Sequence, residues 1–337
     1  MKKNLIALAV LAASGVASAQ SSVTVYGIAD VWVGSLKSAG VRQAMVGSGG
    51  VDQSRFGFKG TEDLGGGLKA NFVLEQGFNI DTGTVVDNSG GTVKGNQAFS
   101  RQSYVGLSSA LGEVRLGRTL TPFEDISGAT TPGFNSALAP SSSVWLSTGH
   151  NISPANTVYY ASPSFSGFSG AASYSLGEDK NTLAPTFNNK AGRTGSFNVK
   201  YEGGPVYAGL AYQAEKLAGA PNSVKFTRVN GSYDLGVVKL LAGYGRVADQ
   251  GVADARTTEW QIGADYPVTS ALTLSGGYAR SKDNAVLGNA KRSGLGLVAS
   301  YSLSKRTSVY GGVQANKTEA ATTTKGDLYA VGIRHTF

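Results

Sequence analysis

Few residues of this chain could carry out covalent chemistry. His150 and His335 are its only histidines, it has no cysteine, and no serine, histidine and carboxylate share a spacing that would set a base beside a nucleophile. Glu62 and Asp63 come nearest to a paired acid. They run directly into Leu64-Gly65-Gly66-Gly67, however, and so belong to a tight hairpin turn. An enzyme is therefore not expected, and no residue set calls for a cofactor or a metal; the lack of cysteine also removes disulfides and thiolate sites. Lys and Arg number 30 against 22 Asp and Glu. These cations are spread singly along the chain, without a basic run or aromatics on the same face, which argues against nucleic acid as a partner.

Charges distributed in this way need elements that set them at intervals along a surface. Residues 1–19 are not expected to contribute. Lys2-Lys3, the apolar run Leu5 to Ala13 and Ala17-Ser18-Ala19 form a secretory signal peptide, too short to span a bilayer. Residues 20–337 then keep 28 cations against 22 anions, a charge of +6. No later stretch approaches the roughly 18 consecutive apolar residues that a membrane helix needs. Mean hydropathy is close to zero, which suits a soluble protein and equally a membrane barrel whose strands alternate apolar and polar residues.

Two-residue alternation decides between them. Val23, Val25, Gly27, Ala29, Val31 and Val33 share one face of a first strand, with Tyr26 and Asp30 on the other. Arg55 and Lys59 oppose Phe56 and Phe58; Leu68, Ala70, Phe72 and Leu74 oppose Lys69, Asn71 and Glu75. The same unit recurs to Tyr329, Val331, Ile333, His335 and Phe337, and gives about sixteen strands. Short turns near Leu64, Leu111, Ser164, Gly204, Gly236, Ser270 and Lys305 alternate with longer polar loops near Gln43, Thr84, Phe134, Lys180, Gly219, Gln250, Asn284 and Ala321, the asymmetry of outer-membrane barrels. Tyr160, Phe168, Tyr201, Tyr233, Tyr266 and Tyr301 fall near short turns and predict an interfacial girdle. One insertion, residues 118–153, interrupts the series. With Thr121-Pro122, Thr131-Pro132-Gly133 and Ala139-Pro140 it has neither period, and a water-filled barrel can hold such a loop inside as a constriction.

Val23 to Gly27, Ser54 to Ala70, Arg101 to Leu107, Leu116-Gly117-Arg118, Tyr160 to Phe168 and Val331 to Phe337 together resemble the general porins of Gram-negative outer membranes, most closely the beta-proteobacterial type. The resemblance implies an all-β, sixteen-stranded transmembrane antiparallel β-barrel, homotrimeric, with the third long loop folded into the lumen and wall arginines facing acidic groups on that loop. By the same resemblance Arg55 and Arg101 look like two of the wall arginines. Arg115 is added on lumen parity, the same two-residue alternation that points Arg55 and Arg101 to the lumen and turns Phe56, Tyr104, Val114 and Leu116 to lipid; the loop's only carboxylates are Glu124 and Asp125. In two places the chain departs from the pattern: Pro132-Gly133-Phe134 lacks the acid that many relatives carry there, and His150 and Ser153 stand where an arginine often precedes the sixth strand.

The expected protein is an outer-membrane channel for passive diffusion of small hydrophilic solutes and ions, with weak to moderate anion preference and membrane lipid around it. A substrate-specific channel would need a file of aromatics or a continuous basic ladder along the lumen. A secreted soluble β-rich adhesin, the alternative of another class, would not need so many long two-faced strands.

Overall fold

The first and last strands of the chain are hydrogen-bonded neighbours. The computed structural model describes residues 22–38, 40–87, 98–177, 192–217 and 222–337. The signal peptide and parts of the loops near Thr84, Lys180 and Gly219 lie outside the described residues. The strands are β1 (Ser22–Ser38), β2 (Val41–Ser48), β3 (Arg55–Gly65), β4 (Leu68–Phe78), the two-residue β5 (Val85–Val86), β6 (Gln102–Ser109), β7 (Gly112–Arg118), β8 (Thr157–Ala161), β9 (Phe168–Ser175) and β10 (Arg193–Gly203). They continue with β11 (Val206–Lys216), β12 (Val224–Asp234), β13 (Lys239–Ala248), β14 (Arg256–Pro267), β15 (Leu272–Asp283), β16 (Lys291–Ser302), β17 (Thr307–Glu319) and β18 (Thr323–Thr336).

Each wall strand pairs antiparallel with its neighbours, and β18 returns to β1 with Ile28 opposite Thr336 and Lys37 opposite Asp327. Closure removes both sheet edges, as hydrocarbon surroundings require. β2 and β3 pair in succession with the two halves of β1 and so form one stave, while β5 is only an appendage of β4. The wall therefore has sixteen staves, in agreement with the sequence pattern. The interruption between β2 and β3 is held by Asp30, whose buried carboxylate accepts the backbone N–H groups of Gly50, Val51 and Asp52.

Alternation sorts the side chains as expected at most positions. Val23, Val25, Val33, Val105, Leu107, Val331 and Ile333 are exposed on the outside, whereas Asp30, Asn198, Asn230, Glu259 and Gln261 are buried on the inside. One expectation fails. Parity had turned Tyr104 towards lipid, yet Tyr104 lies opposite inward Val73 and its ring sits 5.0 Å from the Arg115 guanidinium. In Tyr104-Val105 both residues suit lipid, so composition left the face of β6 open and the pairing with β4 decides it. A second aromatic girdle, which the sequence reading had not collected, includes Tyr174, Phe197, Tyr212, Tyr244 and Trp260, exposed or half-buried towards the long-loop end.

Candidate pore constriction

The long insertion folds into the lumen and lies along the inner face of β10 to β17. It opens with a short helix, α1 (Pro122–Ser127). Proline at its first turn lacks an N–H that would have no partner there anyway, and the N-cap Thr121 hydroxyl accepts from Glu124 N at 3.3 Å. The base of the loop is closed by Arg118 Nη1 donating to Ser153 O at 2.7 Å and by Thr121 N donating to Ile152 O at 2.9 Å. Phe123, Ile126, Leu138, Val144 and Trp145 are buried. Each such side chain contributes about 1.5–3 kcal/mol. Ordering the backbone costs about 1–2 kcal/mol per residue, so burial alone does not hold the whole segment.

Polar groups of the wall supply the remainder. Asn198 donates to Pro122 O and Asn230 to Ile126 O, both at 2.6 Å; Ser196 Oγ accepts from Phe123 N at 3.0 Å, Ser275 Oγ accepts from Gly133 N at 2.7 Å, and Ser281 Oγ donates to Val144 O at 2.8 Å. Where the loop presses closest, the wall carries glycine. A Cβ at Gly263 would meet Pro132 Cγ at 2.3 Å, and one at Gly296 would meet Leu138 O at 2.3 Å. Glycine makes up 47 of the 337 residues, about twice the usual share of roughly 7%, and part of that excess is a bed for the loop.

Two buried charges pin the same contact. Arg228 is enclosed between the rings of Phe123 (5.1 Å) and Trp145 (4.7 Å) and donates to Ser127 O at 3.0 Å and to Ser147 Oγ. Glu259 accepts from Ser147 N at 3.1 Å, Ser147 Oγ at 2.6 Å and Leu146 N. Ser147 therefore bridges a cation and an anion on two staves. Sequence reading missed both residues: their inward parity was visible, but only the fold shows that the loop covers them.

The staves across the lumen carry the expected arginines. Arg55 and Arg101 share Glu75: Arg101 Nε lies 2.8 Å from Glu75 Oε1 and Arg55 Nε 3.7 Å from Oε2, which also accepts the Tyr26 hydroxyl at 3.0 Å. Asp52 then links Arg55 (3.6 Å) to Arg334 (2.6 Å). Among the described residues these ion pairs connect three guanidinium groups and two carboxylates, net +1. Lys59 stands over the Tyr26 ring at 5.1 Å and adds positive charge beside it. Parity does not account for Arg101, which precedes β6: its backbone N–H donates to Glu75 O at 3.1 Å, and its side chain reaches the lumen out of step with outward Val105 and Leu107.

Arg115 is brought to a separate group. Its Nη2 lies 2.6 Å from Glu113, and its guanidinium stacks on Tyr104 and Tyr159 (4.8 Å). The Tyr159 hydroxyl donates to Asp125 Oδ2 at 2.8 Å. Asp125 is open to the lumen, yet the protein around it displaces enough water to push its carboxyl upward, against the opposing effects of the Tyr159 hydroxyl and Arg115. Glu124 faces the loop's own His150, 3.2 Å from its Nε2. Neither loop acid forms an ion pair with Arg55 or Arg101; among the described residues, acids paired with those two arginines are Glu75 and Asp52, neither of them singled out by the sequence reading.

The family model described as Gram-negative porin matches residues 6–321. The chain is 36% identical to outer membrane porin protein 32 of Delftia acidovorans and 30% identical to an outer membrane porin protein of Bordetella pertussis, with all of each chain covered in both cases. An anion-selective porin from Comamonas acidovorans superposes with a TM-score of 0.79 at 30% identity, covering 94% of this chain and 100% of that one. OmpT of Vibrio cholerae in its trimer form, at 17% identity and a TM-score of 0.69, shares the fold.

Proposed function

This chain belongs to the Gram-negative porin family, and on that premise we propose that its channel passes small hydrophilic solutes and ions passively with a weak to moderate anion preference, the residues 118–153 loop and the arginine staves forming its narrowest part. It is an outer-membrane β-barrel channel. The observation that carries the anion preference is the net +1 of the Arg101–Glu75–Arg55–Asp52–Arg334 set, facing a loop whose acids are confined to its start. The anion selectivity of the Comamonas acidovorans relative agrees with this reading. A homotrimer and a signal peptide cleaved before Gln20 belong to the same proposal, supported by family membership and by the leader's composition. Catalysis forms no part of it.

The mechanism needs no chemistry. Water fills the gap between loop and wall, and the fixed charges change only the local populations of passing ions. One charge about 4 Å from an ion is worth about 1 kcal/mol in water-like surroundings, enough to bias anions over cations and too little to select a substrate. Replacing Arg55 and Arg101 together with Glu leaves one guanidinium against four carboxylates, −3 in place of +1. The reversal potential across a planar bilayer in a salt gradient should swing from the anion to the cation side at low salt, and much less near 1 M, where the Debye length is about 3 Å. A cation-selective unmodified pore, or a double variant with unchanged selectivity, overturns the assignment.

A further inference from the structure

The loop and the arginine set meet beside Asp30. Most of the loop is bonded to the staves from β10 to β17, but its tip reaches the interruption between β2 and β3, where Ala137 N donates to Gly50 O at 3.0 Å. Phe134 and Leu138 of the tip join Trp32, Val51, Tyr310 and Leu328 in one apolar cluster. Two residues beyond Gly50, Asp52 pairs with Arg334 at 2.6 Å and with Arg55 at 3.6 Å. One short segment, residues 50–52, thus touches the loop with its first residue and the charged set with its last.

That segment lies between the two ladders that β2 and β3 make with β1, and Asp30 takes the place of a ladder there. Its buried carboxylate accepts Gly50 N at Oδ1 (3.0 Å), and Val51 N (3.0 Å) and Asp52 N (2.8 Å) at Oδ2. Three successive N–H groups turned to one carboxylate form an anion cup. Tyr310 on β17 donates its hydroxyl to the same Oδ1. Glycine at position 50 leaves room for this hydroxyl, since a Cβ there would lie 2.1 Å from its oxygen. Ser54 closes the far side, accepting from Asp30 N at 3.0 Å and donating to Asp30 O at 3.1 Å.

We propose that Asp30 is a positioning residue for both parts of the constriction. By fixing residues 50–52 it sets Asp52 against Arg55 and Arg334, and Gly50 O against the loop tip, so that ion preference and loop position are coupled through it. The proposal rests on the reading that the arginine set biases passing ions. Displacing the carboxylate without neutralising it separates this role from a plain change of charge. Asp30→Glu does so: the charge stays, but the carboxylate advances by one methylene in a buried site, and the three N–H groups follow only if residues 50–52 move. Asp52 then comes away from Arg55 and Arg334, and the tip loses its bond to Gly50 O.

The test compares single channels of the whole folded protein in planar bilayers. In a potassium chloride gradient at low salt, Asp30→Glu should raise the anion-over-cation permeability ratio by up to about fivefold, the effect of one uncovered charge about 4 Å from an ion. At 1 M, where charges are screened within about 3 Å, its open-channel current should be noisier than that of the unmodified channel, because the tip is released. Asp52→Asn should shift the ratio in the same direction and leave the noise unchanged. A shift without noise in Asp30→Glu, noise without a shift, or neither, overturns the coupling. Should Asp30→Glu give no channels, Tyr310→Phe, which takes one hydroxyl from the carboxylate and alters no charge, is judged by the same two readouts. An Asp52→Asn channel with an unmoved ratio would instead fail the arginine-set reading, and this proposal with it, at a step that leaves Asp30 untouched.

Discussion

Replacing Glu75 with Gln removes a negative charge at the centre of the arginine set while keeping its shape. Glu75 is buried, receives Arg101 at 2.8 Å and the Tyr26 hydroxyl at 3.0 Å, and lies 3.7 Å from Arg55. A glutamine oxygen can still accept one of these donors. The connected set then counts three cations against one anion, +2 in place of +1. One added charge about 4 Å from a passing ion is worth about 1 kcal/mol in water-like surroundings, about fivefold in local anion population. Screening sets where this is seen: at 0.1 M the Debye length is about 10 Å and the effect survives across the gap, whereas at 1 M it is about 3 Å and the effect nearly vanishes. Reversal potentials in planar bilayers under a potassium chloride gradient should thus move further to the anion side at low salt, and conductance at 1 M should stay close to that of the unmodified channel. An unchanged reversal potential at low salt would mean that ions do not pass near Glu75. A shift towards cations would refute the charge count itself.

Three further outcomes are expected. Excising residues 129–144 removes the segment seated on the glycine bed and should raise single-channel conductance and admit larger sugars; unchanged values would place the narrowest section elsewhere. Because the Asp125 carboxyl is pushed upward, it takes up a proton at a higher pH than an ordinary carboxyl does, so as pH falls anion preference should start to grow before ordinary carboxyls titrate, and Asp125→Asn should remove that early growth in reversal-potential titrations. Arg228→Met removes from the buried site the cation that Ser147 links to Glu259, and so should weaken the seat of the loop. Current noise should rise and thermal unfolding should occur at a lower temperature, and the Arg228→Met/Glu259→Leu pair should be less destabilised than the sum of its single changes.

The barrel was legible because its physics is local and repeated. Outside the barrel there is lipid and inside there is water, so each strand states its orientation twice per pleat. Sixteen such statements leave little freedom in the count. The interrupted second stave was not foreseen: the sequence placed a polar loop near Gln43, where β2 pairs with β1, and Asp30's part in shaping the break requires three backbone N–H groups brought together by folding. Tyr104 marks where this legibility ends. A tyrosine beside a valine satisfies either surface, and only its cross-strand partner Val73 resolves which one it faces.

The constriction was less legible because it is made of long-range pairs. Arg55, Arg101 and Arg115 could be named singly, but which carboxylate accompanies each depends on strand register: Glu75 lies opposite Gly57 on one side and Gln102 on the other, and so falls between Arg55 and Arg101. Expecting the counter-charges on the loop treated wall and loop as the two plates of a capacitor. In the structure most of the neutralisation takes place within the wall, and the loop is instead bonded to the opposite staves through Asn198, Asn230, Arg228 and, by way of Ser147, Glu259. The two tasks proposed are thereby separated: one half of the barrel seats the loop, and the other carries the arginine set proposed to bias passing ions. Selectivity and pore size should consequently respond to different substitutions, Glu75 and Arg55 altering the first with little change in the second, and Arg228 and Glu259 the reverse.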